Sequence, residues 1–96
     1  MMVTELEAFS LVPGVTKEQF LQLEDAIQSW SYLHRRGLQR RTTLRSEDGS
    51  WLVLTLWGDA KFAVELDTTI DATEVTAWHA ALDRASYRRK IYELLA

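Results

Sequence analysis

The chain has 96 residues, of which 47% are hydrophobic and 26% are charged, and its formal net charge is −3. A chain of this length forms one domain, so we expect a single domain over residues 1–96. The mild negative charge argues against nucleic acid as a partner, because phosphate contacts need a basic surface. The sequence contains no cysteine, which excludes disulfides and thiolate metal ligands.

The N-terminal region has no basic stretch followed by an apolar run, and no apolar segment reaches membrane-spanning length. We therefore expect a cytoplasmic protein with no membrane partner. The two histidines, one in each half of the chain, do not have the spacing of zinc ligands, so no metal site is predicted.

The first predicted element is a strand from Val3 to Val12, which ends at the turn-forming pair Pro13-Gly14. A helix capped by Thr16 is predicted to run to about Leu33 or His34. Thr16 and Gln19 have the spacing of a capping box, in which each side chain accepts a hydrogen bond from the other residue's backbone N–H. Apolar residues then recur at helical spacing. They are Phe20, Leu23, Ile27 and Trp30.

Two strands are predicted around a tight turn. The first, from Gln39 to Ser46, is rich in Arg and Thr and has the character of an edge strand. Asp48-Gly49 is a strong hairpin signal. The second strand, from Trp51 to Trp57, has no charged residue, as expected when both faces of a strand are covered.

The last part of the chain predicts two short helical segments and a strand. Asp59 is a candidate N-cap for a helix through Leu66, and Asp71 with Glu74 repeats the capping-box pattern. The last strand is predicted from Tyr87 to Leu95. The order β-α-β-β-α-β, with the second helix in two pieces, predicts an α+β, ferredoxin-like fold: a four-stranded antiparallel sheet with helices on one face. The second of these helical segments carries an apolar stripe of Val75, Trp78 and Leu82.

Both faces of the 51–57 strand are apolar, although helices on one side of a sheet cover only one of them. A patch of this kind needs a cover, and a second copy related by a two-fold axis supplies one. We therefore predict a face-to-face homodimer. The pattern does not decide which face the helices cover. The two faces are Leu52, Leu54 and Leu56 on one side and Trp51, Val53, Thr55 and Trp57 on the other.

Four stretches resemble the dimeric α+β barrel superfamily, specifically its antibiotic-biosynthesis-monooxygenase-like branch. They are residues 9–15 before the first helix, 37–41 at the second strand, Asp48-Gly49 and 54–59. The resemblance implies the dimeric barrel fold over nearly the whole chain. Members of that group include cofactor-independent monooxygenases of aromatic polyketides and haem-degrading enzymes.

The haem-degrading branch has an Asn on the first strand and a Trp and an iron-ligating His on the second helix. The matching positions here are Glu7 and about Leu66, and His79 lies roughly one helical turn beyond the ligand position. These departures argue against haem, so the sequence predicts no cofactor.

The resemblance implies a pocket between sheet and helices in each subunit, with Trp30, Trp57 and Trp78 as lining residues. His79 or Glu7 would act there as the base that takes a proton from the ligand. The structural alternative places His79 at the border of the core.

For Glu5 and Glu7, the structural alternative is cross-strand ion pairing with basic residues of the last strand. Those residues are Arg88, Arg89 and Lys90.

Five arginines concentrate around the second strand. We interpret them as charge that protects a sheet edge and as salt bridges across the dimer, rather than as a phosphate or nucleic-acid site. They are Arg35, Arg36, Arg40, Arg41 and Arg45.

The sequence leaves three functions open. The chain is a cofactor-independent monooxygenase acting on an aromatic or polyketide-type small molecule, a non-catalytic ligand-binding or accessory protein, or a structural dimerisation module. Fold alone does not decide among them.

Overall fold

The computed structural model describes residues 1–64 and 72–96. Four strands form one antiparallel sheet in the order β2-β3-β1-β4, and the helices pack on one face of it. The predicted ferredoxin-like fold is confirmed. The elements are β1 (Val3–Phe9), α1 (Lys17–His34), β2 (Leu38–Arg45), β3 (Trp51–Trp57), α2 (Ala60–Val64), α3 (Thr73–Ala80), a 3-10 turn (Arg84–Ser86) and β4 (Arg88–Glu93).

The start of α1 confirms the predicted capping box. Thr16 Oγ1 accepts a hydrogen bond from the Gln19 N–H at 3.1 Å, and Gln19 Oε1 accepts one from the Thr16 N–H at 2.9 Å. The helix ends at His34, and Gly37 follows with a φ of 78°, a conformation that glycine adopts without strain. The hairpin turn between β2 and β3 is also where the sequence predicts it, with Gly49 at a φ of 88°.

Strand β1 is shorter than predicted, ending at Phe9 instead of Val12. Its partner β3 begins opposite Phe9, so the ladder has no further residues to pair with. The chain beyond Phe9 instead pairs with the segment after α3: Leu11 forms an isolated bridge with Leu82, and the Val12 N–H donates to the carbonyl of Ala81 at 2.9 Å.

Strand β4 is also shorter than the predicted segment from Tyr87 to Leu95. A 3-10 turn precedes it, capped by the Asp83 side chain, which accepts a hydrogen bond from the Ala85 N–H at 3.1 Å. The Tyr87 N–H bonds back to the carbonyl of Arg84 at 3.2 Å. Tyr87 is therefore held outside the sheet ladder, at the end of this turn.

The two short helices begin differently. Asp59 caps α2 as predicted, since its Oδ1 accepts a hydrogen bond from the Lys61 N–H at 3.1 Å. The cap predicted for α3 is wrong: the helix begins at Thr73, with Ala72 in the N-cap position and no side-chain capping bond. Alanine has no side-chain oxygen to offer. Leu66 and Asp71, the other predicted boundaries, lie outside the described residues.

The structure decides which face of β3 the helices cover. Trp51, Val53, Thr55 and Trp57 point toward the helices and are all buried. The alternate residues, the three leucines, lie on the open face and are only partly buried within this chain. No helix in the described parts of the chain has the length and apolar character to cross a membrane.

Candidate functional site

A cavity of about 1150 Å³ lies between the helix-facing side of the sheet and the helices α1 and α3. Its apolar wall includes Val12, Ile27, Leu38, Trp57, Val75, Trp78 and Leu82. Its charged and hydroxyl-bearing wall includes Glu5, Glu7, Arg41, Thr55, His79, Tyr87 and Arg89. A cavity that combines an apolar wall with convergent polar groups can hold a small molecule.

Four of the five residues proposed from the sequence line this cavity: Glu7, Trp57, Trp78 and His79. His79 is exposed, and its ring packs edge-on against Trp78 with the ring centroids 5.0 Å apart. Trp30 lies elsewhere. It stacks on His34, with ring centroids 5.0 Å apart, and is not among the described lining residues.

Glu7 has the chemical properties of a proton acceptor. It lies on β1, is half-buried, and its Oε2 accepts a hydrogen bond from the Tyr87 hydroxyl at 2.6 Å. Burial, and secondarily the negative charge of Glu5, raises the pKa of Glu7 from 4.5 to about 7. The Tyr87 hydrogen bond and the nearby guanidinium groups of Arg41 and Arg89 oppose this rise. Near neutral pH the carboxyl therefore exists in both protonation states.

Tyr87 stays a hydrogen-bond donor throughout this range. Burial and the negative charge of Glu7 raise the pKa of the Tyr87 phenol above its ordinary value. The phenol therefore keeps its proton and stabilises the ionised form of Glu7.

Glu5 lies two residues before Glu7 on the same face of β1. Unlike Glu7, it is paired with a cation that compensates its negative charge. Its Oε1 accepts a hydrogen bond from Trp57 Nε1 at 3.0 Å, and its Oε2 forms an ion pair with Arg89 Nε. Arg89 also donates from Nη2 to the carbonyl of Ala63 at 2.9 Å. The predicted cross-strand ion pair therefore forms at Glu5, whereas Glu7 is hydrogen-bonded to Tyr87.

A second buried carboxylate, Glu24 on α1, is not predicted from the sequence. Its Oε1 accepts hydrogen bonds from Arg41 Nη2 at 2.6 Å and from Trp78 Nε1 at 2.7 Å, and its Oε2 accepts one from Thr43 Oγ1 at 2.7 Å. The spacing of Glu24 is the signal that could have found it: with Phe20 and residues 27 and 31 it lies on the buried stripe of α1.

This network corrects the interpretation of Arg41 as a surface charge. Its side chain is only 6% exposed and pairs with Glu24 inside the chain, because Arg41 alternates onto the helix-facing side of β2. Its neighbour Arg40 is exposed, as an edge residue should be.

The two tryptophans of the cavity wall are almost fully buried, with Trp57 2% and Trp78 1% exposed. Both indole N–H groups are already engaged, Trp57 with Glu5 and Trp78 with Glu24. Arg35 lies over the Trp57 ring at 4.8 Å. Among the described residues, no cluster of three or more His, Asp or Glu side chains is arranged to hold a metal ion.

No family model matches the sequence, and no curated protein matches it. Solved structures do match. SnoaB from Streptomyces nogalater, a cofactor-independent oxygenase, is 18% identical with a TM-score of 0.71, covering 99% of this chain and 94% of its own. A candidate antibiotic biosynthesis monooxygenase from Caulobacter crescentus is 12% identical with a TM-score of 0.78, covering 99% and 91%.

The chain shares the fold of these two proteins. The resemblance drawn from the sequence is thus confirmed at the level of fold. A dimeric protein of unknown function with a ferredoxin-like fold from Bacteroides fragilis also matches, at 12% identity and a TM-score of 0.65, covering 97% of this chain and 96% of that one.

Proposed function

We propose that this protein is a cofactor-independent oxygenase that removes a proton from an electron-rich aromatic small molecule and so prepares it for reaction with O₂. The observation that carries the proposal is Glu7, a carboxyl with a pKa of about 7 that lines an aromatic-walled cavity. A general base works best when its pKa lies near the operating pH. The likeness in fold to SnoaB supports the same chemistry.

The reaction we propose can be written for a hydroxylated anthrone. Ionised Glu7 takes a proton from the methylene carbon, and the carbanion, delocalised into the ring system, reduces O₂ and forms a C–O bond with it. The peroxide formed takes the proton back from Glu7. Loss of water then breaks the O–O bond and the remaining C–H bond at that carbon, which becomes a carbonyl, and the water carries away the second oxygen atom and both methylene hydrogens. Trp57 and Trp78 contribute to the apolar side of the wall that the substrate would face.

Glu7 is favoured over His79 as the base because of where each lies. Glu7 is half-buried between sheet and helices, whereas His79 is exposed at the end of α3. Partial burial of the base limits the access of water to the carbanion, which water would reprotonate.

Oxygen uptake with a hydroxylated anthrone tests the proposal. We expect Glu7→Gln, which keeps an acceptor for Tyr87 but cannot take the proton, to lower kcat by about a hundredfold or more. Glu47→Gln, at the exposed hairpin turn, is the matched control and should leave the rate unchanged. An unchanged rate in Glu7→Gln would refute Glu7 as base, and loss of activity in His79→Ala alone would assign the role to His79.

The alternative of a binder without chemistry is supported by the size of the cavity. It predicts quenching of tryptophan fluorescence by the aromatic compound with no oxygen consumption. The two functions are therefore separated by the same pair of measurements.

We also propose that two copies pair through the open face of the sheet. The leucines of β3 and Leu6 of β1 form the centre of this face, with Leu44 and Tyr92, 44% and 45% exposed, beside them. Burying such a surface between two copies is favourable at roughly 25 cal/mol per Å². The Bacteroides fragilis protein of the same fold is described as dimeric, which supports this arrangement.

A further inference from the structure

Arg41 is an unusual group to find in the wall of the cavity. Its side chain is only 6% exposed, and of its guanidinium nitrogens only Nη2 donates a hydrogen bond to a described side chain. Nε is buried and has no hydrogen-bond partner among residues 1–64 and 72–96. A buried guanidinium normally uses most of its donors, because a buried N–H without an acceptor destabilises the folded state.

The ion pair with Glu24 compensates the positive charge of Arg41 only in part. Glu24 also receives hydrogen bonds from Trp78 and Thr43, so its negative charge is shared among three donors. The guanidinium carbon lies 5.4 Å from the centre of the Trp78 ring, on the cavity wall. A cation held in this way is available to a second anionic group.

The sheet places Arg41 opposite the proposed base. Arg41 on β2 pairs with Thr55 on β3, and Thr55 pairs with Glu5 on β1. Glu7 is the next helix-facing residue of β1. β1 and β2 are two strand spacings apart, about 10 Å. Arg41, Thr55 between the strands, and the two glutamates all line the same cavity.

We infer that Arg41 is the anchor for an anionic oxygen on the ligand, so that the ligand is an aromatic compound carrying a carboxylate or a phenolate. The inference deepens the proposed function, on which it rests for the aromatic character of the ligand. The oxygen binds at Arg41, and the opposite edge of the ring system reaches Glu7. During proton removal the guanidinium also stabilises negative charge that moves onto this oxygen.

Calorimetric titration without turnover tests this assignment. The probes are 2-naphthoate and its neutral isostere 2-naphthamide, and 4-nitrophenolate with neutral 4-nitroanisole, at a pH where nitrophenol is ionised. We expect the unaltered protein to bind at least one anion about tenfold more tightly than its neutral partner, as a charge-assisted hydrogen bond provides. Preference for one anion or the other identifies which oxygen the site accepts.

Arg41→Lys should reduce that preference about tenfold while leaving the neutral probes unaffected, because one ammonium group cannot serve Glu24 and the ligand together. The double variant Glu24→Gln with Arg41→Gln removes both charges at once and serves if the single variant does not fold. Arg40→Lys, on the same strand but the open face, is the matched control.

An unchanged preference in a folded Arg41 variant, or equal binding of anions and neutral probes by the unaltered protein, would overturn the inference. The outcome of the binding titration does not depend on the outcome of the oxygen-uptake test. Uptake that depends on Glu7 with no role for Arg41 refutes this inference alone, whereas an Arg41-dependent preference without uptake refutes the oxygenase proposal alone.

Discussion

The Tyr87 hydroxyl donates a 2.6 Å hydrogen bond to Glu7 Oε2, joining two residues 80 positions apart in the chain. Tyr87 is held by the 3-10 turn before β4 and stacks on Phe9, with ring centroids 6.5 Å apart. The segment leading into the last strand thus lowers the proton affinity of a carboxyl on the first strand, against the larger effect of burial.

Tyr87→Phe should shift the activity of the enzyme to higher pH. The hydroxyl stabilises ionised Glu7, so its removal raises the pKa of that carboxyl further above its ordinary value. The ascending limb of kcat/KM against pH should move upward, with a loss of about threefold to tenfold at neutral pH. Tyr92→Phe, on the open face of β4, should leave the profile where it is.

Glu5→Gln should have the opposite effect. The negative charge of Glu5 raises the pKa of Glu7, so a neutral amide lowers that pKa. The amide oxygen still accepts a hydrogen bond from Trp57 or Arg89, which preserves the local structure. The same pH profile should move to lower pH. A shift in the same direction as that of Tyr87→Phe would contradict this electrostatic account.

Glu7→Gln should stabilise the protein above neutral pH. The folded state holds the Glu7 proton more tightly than the unfolded chain, so stability is lost as pH rises from 4.5 to about 7. A difference of this size corresponds to about 3 kcal/mol. Urea unfolding should therefore show the variant to be more stable at alkaline pH and similar to the unaltered protein at acid pH. A stability difference that does not vary with pH would exclude a raised pKa at Glu7.

Leu54→Lys should dissociate the proposed dimer. Leu54 pairs with Leu6 on β1 and Thr42 on β2, at the centre of the open face, where a buried lysine in each copy would be unpaired. Sedimentation at micromolar concentration should give a dimer for the unaltered protein and a monomer for the variant. The control is Leu33→Lys on α1, where the leucine is already 81% exposed. Sedimentation of the unaltered protein as a monomer would refute the proposed dimer.

Much of the fold follows from local sequence patterns. The capping box at Thr16, the Asp48-Gly49 turn and the apolar strand at 51–57 all form where the sequence predicts them. Each depends on residues a few positions apart, whose steric and hydrogen-bonding preferences act within one element. The strand order then follows from the alternation of strands and helices.

Features set by distant contacts were not predictable in this way. Both faces of β3 are apolar, so periodicity could not say which one the helices cover. The burial of Glu24 and Arg41 depends on a match between α1 and β2, and Tyr87 meets Glu7 only after the last strand docks. Strand β1 ends at Phe9 because its partner β3 begins opposite that residue. The residues of β1 alone do not indicate this boundary.

The carboxyl ¹³C resonance of Glu7, followed by NMR across the pH range and assigned by its absence in Glu7→Gln, tests the central claim most directly. We expect a titration midpoint at about pH 7. This midpoint should move to higher pH in Tyr87→Phe and to lower pH in Glu5→Gln. A midpoint at the ordinary value of 4.5 would show that Glu7 is fully ionised at neutral pH, and would contradict its role as a base tuned by the cavity.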